Sequence, residues 1–163
     1  MTDLQPLLER VRLAVFDFDG VFTDNRVWVG EGGEEMLSFS RSDGLGLRRL
    51  DDVDVSYLIV SMERSPIVGA RAAKLRADCV HGVEDKLSVL RERTERLGVS
   101  LEETAFLGND INDAECLRAV GCAVVPADAW PEVKPLASWV LERPGGAGCV
   151  REFCDGVWEA RRR

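Results

Sequence analysis

The chain has 163 residues, of which 45% are hydrophobic and 31% are charged, and its length suits one globular domain over residues 1–163. A formal net charge of −8 argues against a nucleic-acid backbone as the main partner. Because no apolar run approaches the roughly 18 residues of a membrane span, and the N-terminal segment lacks the apolar core of a signal peptide, we expect a cytoplasmic protein with no membrane partner.

The cysteines support the same compartment. They form neither a CxxC pair nor a zinc-binding spacing, and their number is odd: Cys79, Cys116, Cys122, Cys149 and Cys154. We therefore expect reduced cysteines that pack in the core.

Short apolar runs alternate with segments of helical period along the chain. The runs predict strands at Leu13–Phe16, Ser56–Val60, Cys79–His81, Thr104–Leu107 and Cys122–Val125. The helical segments are Leu45–Asp52, Pro66–Leu75, Lys86–Leu97, Asp113–Val120 and Cys149–Arg161. Ser65-Pro66 is typical of a helix start, and Gly98 and Gly121 suit helix ends. This alternation predicts an α/β fold in which helices cover both faces of a central parallel sheet.

The segment Val21–Ser40 departs from that alternation. Glycines at 30, 32 and 33 supply a turn between VFTDNRVWV and EMLSFS, in which apolar residues alternate. We predict a β-hairpin that follows the first strand directly.

An acid pair, Asp17 and Asp19, follows the first predicted strand, with Gly20 next. The carboxyl ends of strands form the ligand-binding edge of such a sheet. Two carboxylates so close together repel one another unless a cation joins them, and Mg²⁺ favours a few carboxylates with water and phosphate oxygens. An Asp-Gly turn without a ligand is the alternative.

Three further strand ends carry polar groups. Ser61 offers a hydroxyl for a phosphate oxygen, or a simple helix cap. Lys86 can neutralise a phosphoryl group, or remain solvated at its helix start. Asp110 and Asp113 lie in the segment GNDIND and can complete a magnesium site, although Asp113 also suits a helix N-cap.

In chain order, these groups are an acid pair, a hydroxyl, a lysine and an acid cluster. This order resembles the four motifs of the haloacid dehalogenase superfamily over essentially the whole chain, which implies a three-layer, Rossmann-like fold. The resemblance implies that Asp17 is a nucleophile that forms an aspartyl-phosphate, and that Asp19 is the acid and base. Ser61 and Lys86 would then hold the phosphoryl oxygens, and Gly20 would line the substrate site.

The same resemblance implies a Mg²⁺ ion on Asp17, the Asp19 carbonyl and Asp110, with Asp113 in support. Relatives often have Asp where this chain has Asn109. The substitution leaves the choice between Asp110 and Asp113 as the direct ligand open, and it predicts weaker binding of magnesium.

Superfamily members with a cap domain insert it between the first and second or the second and third motifs. Neither segment here is long enough, so we expect no cap. Capless members with a hairpin are similar to the phosphatases of 2-keto-3-deoxy sugar acids, which include KDO 8-phosphate and KDN 9-phosphate phosphatases and the phosphatase-like domain of CMP-sialic acid (acylneuraminate) synthetases. Local matches are the segments RSDG (41–44) and GGAG (145–148). The resemblance implies a homotetramer that closes the sites.

Within that group, the segments SMERSPIV and ARAAKL look like the KDN 9-phosphate branch. Glu63, Arg71 and Lys74 would then contact the sugar acid, and the two cations share a helix face that suits a carboxylate. A solvated basic helix face is the alternative, as it is for the three terminal arginines. The lone His81 is expected to be structural.

The favoured function is therefore a magnesium-dependent phosphatase of a KDN 9-phosphate-like sugar acid, and KDO 8-phosphate is the less favoured alternative substrate. Two alternatives stay open at this point. One is a promiscuous phosphatase of other small metabolites. The other is a non-catalytic tetramerisation module.

Overall fold

A six-stranded sheet, all of whose strands run parallel, forms the centre of the computed structural model, which describes residues 4–162. Arg163, one of the three terminal arginines, lies outside the described residues. Eight strands are described: β1 Leu13–Phe16, β2 Trp28–Val29, β3 Glu35–Met36, β4 Ser56–Ser61, β5 Asp78–His81, β6 Thr104–Leu107, β7 Cys122–Val125 and β8 Trp139–Val140. Strands β2 and β3 pair with each other outside the main sheet. The α-helices are α1 Leu4–Arg10, α2 Ser42–Asp51, α3 Pro66–Leu75, α4 Lys86–Leu97, α5 Ala114–Ala119 and α6 Cys149–Arg161.

The order of strands in the main sheet is β5-β4-β1-β6-β7-β8, so the first strand lies at the centre. Every residue of β1 and β6 is buried, as expected for strands covered on both faces. Phe16 is paired with Ile59 on one side and with Leu107 on the other. Strands β1, β4 and β6 therefore end side by side at the same edge of the sheet.

Alternate strand residues feed two separate cores, one on each face. Phe16, Ile59 and Leu107 pack in the first core, against α1, α2, α3 and α6. Val15 and Phe106 point the other way, into the core that α4 and α5 cover. The predicted three-layer arrangement is therefore confirmed.

The hairpin is much shorter than the sequence pattern predicts. Only Trp28–Val29 and Glu35–Met36 pair, as an antiparallel ribbon of two residues a strand. The prediction that Val21–Thr23 begins its first strand is wrong. Phe18, Val21 and Phe22 are all buried and the last two donate backbone hydrogen bonds to the Phe18 carbonyl, so packing of this face into the core imposes a helical turn.

Other boundaries differ in smaller ways. Helix α2 begins at Ser42 and not at the predicted Leu45. The sequence pattern does not reveal this first turn because Gly44 and Gly46 weaken its helical character. Helix α5 is shorter than predicted and follows a 3₁₀ turn at Ile111–Asp113. Helix α1 and strand β8 were not predicted.

The predicted caps have mixed outcomes. Ser65 accepts a hydrogen bond from the Ile67 N–H with Pro66 at the first helical position, and Gly98 ends α4 in the left-handed conformation, as predicted. Gly121 is not a left-handed cap: a Cβ there would lie 2.1 Å from the Glu102 carbonyl oxygen, so this glycine allows close backbone packing.

The described residues also bear on the membrane prediction. Between residues 4 and 162 there is no helix with the length and apolar character that crossing a bilayer requires.

Candidate active site

The polar residues predicted at the strand ends meet at one edge of the sheet. The Asp17 N–H donates to the Leu107 carbonyl across 2.9 Å, which extends the β1–β6 ladder by one more residue. Ser61 ends β4, the neighbour of β1 on the other side. Parallel pairing thus brings Asp17, Ser61 and the segment after Leu107 together, as the topology requires.

Lys86 joins two buried carboxylates at this edge. Its Nζ lies 2.7 Å from Asp17 Oδ1 and 2.7 Å from Asp113 Oδ1. The Lys86 residue is only 3% exposed, so the solvated alternative for this lysine is wrong. Asp85 caps the helix by accepting from the Ser88 N–H, which fixes the start of α4 at Lys86.

The Asp113 carboxylate binds Lys86 through one oxygen and the backbone of the preceding loop through the other. Its second oxygen, Oδ2, accepts a hydrogen bond from the Asn109 N–H at 2.9 Å. Asp113 occupies the predicted N-cap position of α5, but its side chain makes no capping hydrogen bond to that helix. A Cβ on Gly108 would lie 2.6 Å from the Asp113 carboxyl carbon, and only glycine fits there.

Burial and charge act in opposite directions on this cluster. Burial, and then the negative charge of Asp113, raise the pKa of Asp17, while the Lys86 ammonium opposes that rise. Burial tends to lower the pKa of Lys86, but the charges of Asp17 and Asp113 outweigh it, so that this pKa lies above its usual value. The lysine therefore stays charged and limits, without cancelling, the rise in the pKa of Asp17, whose ionised form is the one that a nucleophile needs.

Asp19 occupies a less buried position than Asp17. Burial and then the charge of Glu63 raise the pKa of Asp19, while the charge of Lys86 and a hydrogen bond from the Thr23 hydroxyl lower it. A carboxyl group whose pKa is raised towards neutrality suits an acid and base.

Asp17 opens into a cavity of about 430 Å³. The cavity is lined by Asp17, Asp19, Asn25, Ser61, Met62, Glu63, Arg64, Asn109, Asp110 and Asn112. The Ser61 hydroxyl accepts from the Glu63 N–H at 3.1 Å, and the Glu63 carboxylate accepts from the N–H groups of Arg64 and Ser65. These bonds hold the loop after β4 against the cavity.

Comparison with known proteins agrees with this geometry. The sequence pattern of the haloacid dehalogenase-like hydrolases matches residues 71–151. The 3-deoxy-D-manno-octulosonate 8-phosphate phosphatase KdsC of Escherichia coli K12 is 34% identical over 148 residues, which span 90% of this chain and 79% of that protein. The chain belongs to the haloacid dehalogenase-like hydrolases.

Solved structures extend the likeness to the whole fold. The 3-deoxy-D-manno-octulosonate 8-phosphate phosphatase of Yersinia pestis superposes with a TM-score of 0.95 at 33% identity, over 99% of this chain and 88% of that one. The enzyme of the same name from Moraxella catarrhalis, in complex with magnesium, phosphate and KDO, gives 0.94 at 27% identity, over 99% and 94%. This hydrolase is thus a phosphatase of the capless KDO phosphatase group, and the alternative of a non-catalytic module is set aside.

Groups that could bind a metal ion through oxygen lie close together beside Asp17. The end of the Asn109 side chain lies 3.3 Å from Asp17 Oδ2 and 2.8 Å from the Asp19 carbonyl oxygen. With its nitrogen turned to them, the amide donates to both oxygens; with its oxygen turned to them, it places a third oxygen beside these two. A Cβ on Gly20 would lie 2.1 Å from the Asn109 amide, so the predicted role of Gly20 includes making room for this side chain.

This donor set fits a hard divalent cation. Among residues 4–162, no three His, Cys, Asp or Glu side chains are grouped as a metal site. The backbone carbonyl and the amide oxygen take the place of a third carboxylate, a mixture that Mg²⁺ accepts together with water. Asp110 lines the cavity, but its Oδ1 accepts from the Ile111 N–H, so its role as the direct ligand stays a prediction.

Two predicted substrate contacts lie elsewhere in the same chain. Arg71 donates to the Ser40 carbonyl at 3.0 Å and its guanidinium stacks 4.8 Å from the centre of the Phe39 ring. Lys74 is exposed and lines a separate depression with Arg48 and Arg76. Neither cation lines the Asp17 cavity. Arg64 does line that cavity. The sequence did not single it out, because there it is one of several neighbouring basic residues.

Proposed function

We propose that this phosphatase removes the phosphate group from a phosphorylated 2-keto-3-deoxy sugar acid, with KDO 8-phosphate as the first candidate. The observation that carries the proposal is the buried Asp17–Lys86–Asp113 cluster, which opens onto a cavity with Asp19 and Ser61. The relatives reported above are named for KDO 8-phosphate, and this chain shares their fold over almost its full length.

The residues support a two-step reaction. In the first step, an Asp17 oxygen attacks phosphorus while the bond to the sugar oxygen breaks, and that oxygen takes a proton from Asp19. In the second step, Asp19 removes a proton from a water molecule, whose oxygen attacks phosphorus and releases Asp17. Ser61 and Lys86 hold the phosphoryl oxygens throughout and offset their charge.

Magnesium is the proposed cofactor. When bound, it would stabilise the negative charge that accumulates on the phosphoryl oxygens. Asp17, the Asp19 carbonyl and Asn109 are the groups placed to hold it, with Asp110 next to them and Asp113 fixing the loop. Asn109 thereby joins the ligands that the sequence resemblance implies.

Arg64 is the cation that we assign to the carboxylate of the substrate. It is the single Lys or Arg among the described residues that line the Asp17 cavity, where four acidic side chains also lie. Its present partner is Glu84, 3.5 Å away, and both side chains are exposed, so this pair costs little to separate.

KDN 9-phosphate is the second candidate, because Glu63 lines the cavity where its branch of the group predicts a substrate contact. Arg71 and Lys74 do not line the Asp17 cavity of their own chain, so in this proposal they contact the sugar acid from another subunit. We therefore retain the homotetramer as part of the proposal. The exposed side chains of Val27, Trp28 and Val29 on the hairpin offer apolar surface for it.

A cytoplasmic location also remains part of the proposal. The five cysteines are free thiols, four of them buried, which suits a reducing compartment.

Phosphate release tests the function directly. Purified protein is incubated with KDO 8-phosphate, KDN 9-phosphate and p-nitrophenyl phosphate, with Mg²⁺ or with EDTA. We expect kcat/KM for one sugar acid to exceed that for the aryl ester by at least about 100-fold, and to vanish in EDTA. Similar slow rates on all three would favour the promiscuous phosphatase instead.

A further inference from the structure

Asn25 lies at the junction of two depressions in the molecule. It lines the Asp17 cavity, and it also lines an adjoining depression of about 240 Å³ between the hairpin and the loop after β4. Of the described residues, only Asp19, Asn25 and Glu63 line both. In the proposed reaction the leaving oxygen lies beside Asp19, so the carbon atoms that follow this oxygen have a route past Asn25 into the adjoining depression.

Backbone contacts hold Asn25 in an unusual conformation. Its φ is 62°, in the left-handed region that residues with a Cβ rarely adopt. The Asn25 N–H donates to the hydroxyl oxygen of the buried Thr23 at 3.1 Å, and the same oxygen accepts the Gly20 N–H at 3.1 Å. These contacts fix the position of Asn25 beside the acid-pair loop, and none of them uses its side chain.

The side-chain amide of Asn25 is therefore free to bind something else. Asn25 is exposed, and its amide makes no hydrogen bond to another residue between 4 and 162. The other two residues of the junction are acids, and an ionised carboxylate can only accept hydrogen bonds. One Glu63 oxygen already accepts two backbone N–H groups, which leaves its second oxygen for a ligand. An amide donor next to a carboxylate acceptor matches a hydroxyl group, which both accepts and donates.

We propose that Asn25 is a specificity-determining residue, whose amide donates a hydrogen bond to a substrate hydroxyl group close to the phosphoester carbon. This inference rests on the proposed function and adds the chemical class that the junction selects, a phosphate ester with a hydroxyl group on a neighbouring carbon. The simpler alternative is that Asn occurs at position 25 only because it tolerates the left-handed conformation better than most residues do.

Asn25→Gly separates the two explanations, because glycine keeps the left-handed backbone and removes only the amide. The probes are sn-glycerol 3-phosphate, with hydroxyl groups next to the ester carbon, and n-propyl phosphate, with the same carbon chain and none. We expect the ratio of kcat/KM for the glycerol ester to that for the propyl ester to fall by about 5- to 10-fold, as loss of one hydrogen bond implies. For the sugar-acid phosphate, KM should rise by a similar factor with kcat within about 3-fold.

Asn112→Ala is the matched control. Asn112 also carries an amide and lines the Asp17 cavity, but it does not line the adjoining depression. In this variant the same ratio should stay within about 2-fold of the wild-type value. Asn25→Ala also lacks the amide and should reproduce the fall of the ratio, while its strained backbone should lower the melting temperature below that of Asn25→Gly.

Two results would overturn the inference. One is an unchanged ratio in Asn25→Gly, even where Asn25→Ala lowers the ratio through its strained backbone. The other is an equal fall of the ratio in Asn112→Ala.

Failure of the proposed function has a different signature. If the wild-type protein hydrolyses no sugar-acid phosphate faster than p-nitrophenyl phosphate, the assignment of a sugar acid is wrong, and the ratio for the glycerol and propyl esters still decides the role of Asn25. If a sugar-acid phosphate is preferred but the ratio does not respond to Asn25→Gly, then only the role of Asn25 is wrong.

Discussion

The phosphoryl-transfer centre and the rim around it differ in how the chain holds their side chains. In the centre, Asp17, Lys86 and Asp113 are at most 4% exposed, and the lysine contacts both carboxylates. On the rim, Arg64 has one long, exposed ion pair, and Trp28 on the hairpin is 71% exposed. In the proposed function, chemistry thus depends on contacts within the chain, whereas recognition depends on side chains that are exposed in the single chain.

The difference suggests how substitutions should behave. A change in the centre alters buried charge and should affect both turnover and stability. A change on the rim removes a contact that forms with a substrate or another subunit, so it should alter KM or assembly and leave the free energy of unfolding nearly unchanged. The predictions below test that division, from the largest expected effect to the smallest.

Replacement of Asp17, the proposed nucleophile, should have the largest effect. Asp17→Asn removes the attacking oxygen and a proposed metal ligand, so we expect kcat to fall by at least about 1,000-fold. Circular dichroism and sedimentation should show the native fold and the same assembly as the wild-type protein. Retention of more than about a hundredth of the activity would exclude covalent catalysis through Asp17.

Removal of the buried cation should cost stability as well as turnover. Lys86→Met leaves Asp17 and Asp113 buried without a positive partner, and we expect the free energy of unfolding to fall by about 3 kcal/mol at pH 7. Lys74→Met, on the surface, is the control and should change it by less than about 0.5 kcal/mol. Urea denaturation measures both.

The pH dependence of the Lys86→Met defect follows from the same charges. Without the ammonium group, only a hydrogen bond from the Phe18 backbone still opposes the burial that raises the pKa of Asp17, so this pKa lies further above that of the unfolded chain. A carboxyl group of this kind destabilises the fold as pH rises through the interval between the two pKa values, and the penalty disappears when it is protonated. The deficit should therefore shrink as pH is lowered. A deficit that is constant with pH would contradict the buried-charge explanation.

The same division explains how much the sequence could predict. Apolar runs followed by Asp17, Ser61 and Asp110 predicted both the sheet and its functional edge, because parallel strands must end together. Lys86 was placed correctly, since a helix start after a strand fixes its position. These inferences need only local period and topology.

The errors arose where packing between distant segments decides the outcome. The β-branched residues around Phe22 favour a strand, yet burial of Phe18, Val21 and Phe22 on one face forms a turn. Nor does any local pattern show that the Arg71 guanidinium packs on Phe39 of its own chain, so its predicted contact with the substrate stays a prediction that depends on a neighbouring subunit.

Arg64→Gln tests recognition at the rim. Loss of a charge-assisted hydrogen bond to the carboxylate should raise KM for the sugar-acid phosphate by about 10-fold, with kcat within about 2-fold. A phosphorylated sugar without a carboxylate should show no change in KM. Arg26→Gln is the matched control, because Arg26 lines the adjoining depression with Glu35 and not the Asp17 cavity. If the control shows the carboxylate-dependent loss instead, then Arg26 is the recognition residue.

The smallest effect on the isolated chain should come from the hairpin. Trp28→Ser removes an exposed indole from a two-residue strand, so the free energy of unfolding of a single chain should hardly change. If the hairpin lies between subunits, however, burial of its apolar side chains would stabilise the assembly, and the variant should dissociate at protein concentrations where the wild-type protein remains tetrameric. Sedimentation velocity measures this, with Val140→Ser on the exposed edge strand β8 as a control that should leave assembly intact. A wild-type protein that is monomeric at micromolar concentration would contradict the tetramer. Arg71 and Lys74 would then have no route to a substrate, and recognition would rest on Glu63 and Arg64 of the same chain.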